Sequence, residues 1–134
     1  GSEMCIRDSN CLVQLKQKVE VGKLDLNVSG SANMVVNELK TDKLECSING
    51  SGTINLKAGN AEEADYSITT DGEIMAFGVA ASEVNCKITG KGSAQIHPTN
   101  NLKATIVGKG NIRYKGPTAV QQKIIGKGTV EEVK

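Results

Sequence analysis

Six stretches of this chain alternate apolar and polar residues and then run into a small glycine turn. They are Leu24 to Gly30, Leu44 to Gly50, Ala64 to Thr70, Val84 to Gly90, Leu102 to Gly108 and Val120 to Gly126. Their starts lie 20, 20, 20, 18 and 18 residues apart, so one supersecondary unit recurs along the chain. In register, three apolar columns emerge: Leu24, Leu44, Ala64, Val84, Leu102, Val120; Leu26, Cys46, Tyr66, Cys86, Ala104, Gln122; and Val28, Ile48, Ile68, Ile88, Ile106, Ile124. The positions between them are polar, from Asp25 and Asn27 to Gln121 and Lys123. Period-two alternation is a strand with one buried and one solvated face. A second alternating run follows each turn, with Met34, Ile54, Ile74, Ala94, Ile112 and Val130 in one column and Val36, Leu56, Ala76, Ile96 and Tyr114 in another.

A repeat of 18 to 20 residues has no room for a helix beside those strands, but it holds about three short strands with tight corners. Such a unit cannot bury its apolar face alone. Stacking the units in parallel about 4.8 Å apart encloses a continuous core, so the sequence predicts an all-β parallel β-helix, a solenoid with coils of 18–20 residues. Gly30, Gly50, Gly90, Gly108 and Gly126 open a recurring corner, and Gly52, Gly72, Gly92, Gly110 and Gly128 close it. These G-x-G runs are read as corners, because a phosphate-binding loop needs a helix N-terminus after it. An antiparallel sandwich also shows alternation at regular spacing, but gives no reason for isoleucine to recur above isoleucine. The irregular runs Gly59–Glu63 and His97–Asn101 fall at one place in their repeats and are expected to be corners.

The G-S-G, D-G and G-K-G turns between short alternating strands, as in Ser47-Ile48-Asn49-Gly50-Ser51-Gly52 and Thr89-Gly90-Lys91-Gly92, resemble the head GIN domain of putative auto-transporter adhesins, over about residues 9 to 134. The resemblance implies a right-handed β-helix in an exported or surface-associated bacterial protein. It implies no catalytic residues, since none are defined for the family. Members normally begin with further strands ahead of the G-S-G coils.

Residues 1 to 8 share nothing with the repeat. Ser2 to Asp8 looks like a translated sequencing-adapter remnant, so this stretch is expected to be a non-native leader. Residues 9 to 134 are then a single β-helix domain, truncated at its N-terminus, with residues 9 to 23 as the second half of an earlier coil. No apolar run is long enough to span a bilayer as a helix. Six and a fraction coils make a rod about 30 Å long.

Net charge is +1, but it is unevenly spread. From Glu20 to Glu83 there are eleven acidic and four basic residues, a balance of −7; from Val84 to Lys134 there are nine basic and two acidic, a balance of +7. The middle residue of each corner reads Ser31, Ser51, Asp71, Lys91, Lys109, Lys127. Stacked coils would bring those three lysines about 4.8 Å apart, either as solubilising charge that discourages edge pairing or as a ridge for anionic ligands. Nucleic acid is not expected, because aromatics are 2% of residues and are not interleaved with the basic ones.

Four cysteines, an even number in a chain that is expected to be exported, invite a disulfide framework, but the coil geometry argues against one. Cys46 and Cys86 share a column but lie two coils apart with Tyr66 between them, about 9.6 Å, beyond the reach of a disulfide. They should be buried free thiols. Cys5 belongs to the leader, Cys11 has no evident partner, and no C-x-x-C spacing suggests zinc.

Other chemistry is weakly represented. Asp25, Glu45 and Asp65 form an outward carboxylate column that could meet calcium, but nothing recurs beside it to complete a coordination shell. His97 precedes Pro98, with no serine nucleophile or metal partner in register. Carbohydrate platforms use exposed aromatics; Tyr66 is expected inside, leaving Phe77 and Tyr114. An ice-binding threonine array fails, because Asn49, Val107 and Ile125 interrupt the column of Thr69 and Thr89. Gln122 and Glu132 at core columns weaken the last coil's apolar face and read as a cap against coil stacking.

The sequence therefore points to a non-enzymatic, exported module at the periplasm, outer-membrane surface or outside the cell, without cofactor or metal. It is read as an adhesin or envelope-binding domain that meets anionic glycans or envelope components through Lys91, Lys109 and Lys127. A bactofilin-like scaffold that self-associates through open coil ends is the alternative, and a polysaccharide-active enzyme a third.

Overall fold

The computed structural model describes residues 3–9, 12–115 and 119–133, and among them every regular element is a strand. In chain order these are β1 (Glu3–Ser9), β2 (Leu12–Gly30), β3 (Asn33–Gly50), β4 (Thr53–Leu56), β5 (Gly59–Ile68), β6 (Glu73–Gly90), β7 (Ser93–Gly108), β8 (Asn111–Lys115), β9 (Ala119–Gly126) and β10 (Thr129–Val133). All pairings are parallel. The fold is the expected parallel β-helix. The long strands bend around corners, so each coil holds three paired segments: β3 meets β2 along 33–36, 38–41 and 43–50.

The expected columns are the observed ones. Val28, Ile48, Ile68, Ile88, Ile106 and Ile124 stack in successive coils, and the first five are buried to 1% exposure or less. Burying that much aliphatic surface is the main stabilising term.

The irregular runs are corrected by the structure. Gly59–Ala61 pairs with Leu39–Thr41, and His97–Pro98 with Ala80–Ala81, so both contribute to the short second strand as well as to a corner. Its inward columns include Val19, Leu39 and Val79, and Thr41, Ala61 and Ala81, all buried. Thr41 hides its hydroxyl by donating to the Lys43 carbonyl at 3.0 Å and the Gly22 carbonyl at 3.2 Å, as a buried polar group must. The same strand explains the shortened repeat. Met75 to Ala80 spans five positions but their partners Gln95 and His97 only two, while Ala81 to Glu83 spans two against three from Pro98 to Asn101. Three residues drop out at one corner and one returns at the next, so the period falls from 20 to 18.

Residues 3–8, part of the stretch 1–8 set apart in sequence, pair with 23–28 at the twenty-residue spacing, as Ser9 does with Ser29. Cys11 lies outside the described residues.

The coils approach closely at the G-x-G corner. Gly108 has φ +121°, and a Cβ there would sit 2.7 Å from the Gly90 carbonyl oxygen; at Gly110 it would sit 2.5 Å from Ile88 Cγ2. Gly108→Ala is expected to lower stability by about 2 kcal/mol, read as an earlier midpoint in urea, whereas Thr89→Ala on an exposed outward position shifts it by less than about 0.5 kcal/mol.

Cys46, Tyr66 and Cys86 are consecutive in one inward column and the two thiols are free and buried. Burial pushes both thiols up, Cys86 to about 12 and Cys46 further with help from the Asp25 charge; burial also raises the Tyr66 phenol. An unfolded chain releases the thiol protons from about pH 9 while the folded chain keeps them. The unfolded state then binds fewer protons, so stability falls as pH rises. Thermal melts are expected to drop between pH 8 and pH 10.5, and to drop less in a Cys46→Ala, Cys86→Ala variant.

Candidate binding surface

The third strand of each coil is the longest, with eight paired positions from 23–30 onward. Its outward columns start at Lys23, Asp25, Asn27 and Ser29, and the chain then turns through the glycine corner. Lys91, Lys109 and Lys127 occupy that corner in three successive coils and are exposed. The stacking is fixed by backbone: the Lys109 amide donates to the Gly90 carbonyl and the Lys127 amide to the Gly108 carbonyl, both at 2.9 Å. Below them sits exposed Asp71 in a corner without the opening glycine. There Thr70 replaces it and donates its hydroxyl to the Gly50 carbonyl.

Among the described residues the ion pairs are Lys43–Glu45 at 3.5 Å and Arg113–Glu131 at 3.8 Å, so the ridge lysines have no carboxylate holding them. The carboxylate column is different. Asp25 accepts from Asn27 Nδ2 and Asp65 from Asn85 Nδ2, both at 2.9 Å, and Glu45 faces Lys43. Each carboxylate is engaged by a neighbour, and among the described residues no group of three His, Cys, Asp or Glu could hold a metal ion. His97 is half-buried beside Ala80, and Phe77 and Tyr114 are half-buried on separate coils. The structure does not bring these into one site.

Sequence reading missed how the rest of the long face joins the ridge. Lys87, Thr105 and Lys123 share one outward column, Asn85, Lys103 and Gln121 the next, and Thr89, Val107 and Ile125 a third. Shallow grooves run between these columns, one lined by Glu83, Asn85, Asn101, Lys103 and Gln121, another by Asp65, Ser67, Lys87, Lys103 and Thr105. The signal was present in the outward positions of K-I-T-G-K, T-I-V-G-K and K-I-I-G-K.

The sequence profile of the putative auto-transporter adhesin, head GIN domain family matches residues 7–117. The chain belongs to this family. The crystal structure of a putative adhesin from Parabacteroides merdae ATCC 43184 is similar at TM-score 0.97 and 90% identity, covering 98% of this chain and 57% of that one. A putative adhesin from Parabacteroides distasonis ATCC 8503 gives TM-score 0.96 and 67% identity over 98% of this chain and 56% of its own. A putative lipid binding protein from the same organism gives TM-score 0.90 and 31% identity over 99% and 56%. This chain thus spans a little over half the length of these solved relatives. No curated protein matches it. Among the described residues no helix is long and apolar enough to cross a membrane.

The head GIN ridge stacks like charges that repel through water. Lys109→Ser is therefore expected to raise the melting temperature at about 10 mM salt, and the gain should fade at about 1 M, where the screening length falls to about 3 Å.

Proposed function

We propose that this head GIN domain is a non-enzymatic, exported binding module of the cell surface whose ridge Lys91, Lys109 and Lys127 engages anionic groups of envelope or matrix components. The observation that carries this is the ridge itself: three exposed lysines one coil apart with no carboxylate partner among the described residues. A cationic column of this kind attracts polyanions over a Debye length. The family and solved relatives bear the names of adhesins and a lipid binding protein, which supports binding rather than turnover. Among the described residues His97 pairs with Ala80, and Asp25, Glu45 and Asp65 follow one another in one outward column, each engaged by a neighbour.

An anionic glycan and polymer array, probed with the chain and with a Lys91→Ser, Lys109→Ser, Lys127→Ser variant, tests the proposal. Binding that weakens in the variant and at high salt is the expected result. Absence of binding by both forms would reduce the ridge to solubility chemistry and favour a structural scaffold.

A further inference from the structure

Among the described residues three large hydrophobic side chains stand exposed, and two of them stack on one another: Val107 at 36% and Ile125 at 54%. The third, Leu12, lies at the other end of the coil stack. Val107 and Ile125 continue the outward column of Thr89. On one side of that column, around the corner, run Lys91, Lys109 and Lys127. On the other side run Lys87, Thr105 and Lys123, with Lys103 one outward position further along. The same positions in the three preceding coils hold Ser29, Asn49 and Thr69 between Ser31, Ser51, Asp71 and Asn27, Ser47, Ser67. Lysine therefore enters the face with Lys87 and Lys91, and the exposed aliphatic residues follow in the next two coils, beside Lys109 and Lys127.

Charge for solubility does not call for an exposed isoleucine, and a free polyanion is held by charge alone. A carbohydrate platform would use aromatic rings, and none lies in this column. An aliphatic strip bordered by cations on both sides fits a ligand that is anionic at its surface and apolar just beneath. Alternate outward positions on a strand lie about 6.6 Å apart, so the two lysine columns flank the strip at a distance their long stems span while the ammonium groups stay in water.

We propose that this face docks on an anionic lipid bilayer. The lysine ammoniums meet headgroup phosphates, and Val107 and Ile125 enter the boundary between headgroups and acyl chains, as on other basic amphipathic surfaces. The proposal rests on the binding role assigned to the ridge and names its ligand class.

The test measures cosedimentation of the chain with vesicles of phosphatidylglycerol and phosphatidylcholine, beside heparin affinity as a purely polyanionic comparison. Circular dichroism checks that each variant is folded. The chain is expected to bind the mixed vesicles and not phosphatidylcholine alone. Val107→Ser with Ile125→Ser should weaken vesicle binding about tenfold and leave heparin affinity unchanged. The triple lysine-to-serine variant should weaken both, by about a hundredfold at low salt.

Unchanged vesicle binding by the Val107→Ser, Ile125→Ser variant would overturn the bilayer proposal. So would heparin binding without vesicle binding, which would leave the ridge reading standing with a polyanionic glycan as ligand. A dimer in sedimentation velocity that this variant dissolves, without vesicle binding, would assign the strip to a second copy of the chain. Failure to bind either heparin or vesicles would sink both readings.

Discussion

Parallel stacking in register is the constraint on which this molecule depends: the neighbours of each residue, above and below, are the residues one repeat away. Parallel pairing about 4.8 Å apart satisfies the backbone through the next coil and leaves side chains to pack like on like. Inside, this turns a single choice into a column, and Ile48, Ile68, Ile88 and Ile106 form a continuous aliphatic spine. At the corner the same closeness excludes a Cβ, because the carbonyl of the preceding coil lies where it would go. Slack is tolerated only between the first and second strands and after the second, where residues leave or enter without disturbing the long third strand.

On the outside, stacking like on like works against stability wherever the residue is charged. The N-terminal coils relieve this locally. Asp25 and Asp65 accept hydrogen bonds from asparagines, and Glu45 sits beside Lys43. The corner column of the C-terminal coils does not, since Lys91, Lys109 and Lys127 follow one another with no acid interleaved. Each neighbouring repulsion is only about 1 kcal/mol in water, small against the buried spine, so the fold tolerates it. What the arrangement gains is a concentrated positive potential along one edge of the rod.

The core was readable because period two and period twenty coincide: alternation named the inward residues, and repetition named their neighbours. Cys46 and Cys86 were placed correctly by that arithmetic, two coils apart with Tyr66 between. The second strand was not readable. Its paired segments, such as Gly59–Ala61 and His97–Pro98, are two or three residues long and contain glycine or proline, and so short a run carries no detectable alternation. Its stability comes from the coils on either side rather than from its own propensity. The ridge was legible as a column, since it recurs at the coil period. Its company on the long face was harder to see, because Lys87, Lys103 and Lys123 occupy two different columns and Val107 and Ile125 drew notice only as interruptions of a threonine array.

That the candidate surface lies on the third strand follows from its length. The first strand, 33–36, presents only Asn33 and Val35 outward before the chain turns, too narrow for more than two columns. The third presents four outward columns and then the corner, wide enough for an apolar column with cations on both sides. Period-two geometry also separates the two tasks of the strand, since inward residues set the coil and outward residues can change without moving it. Thr89, Val107 and Ile125 vary in polarity above unchanged neighbours Ile88, Ile106 and Ile124. A solenoid of this kind can therefore vary the outward residues along one face while the core that supports it repeats.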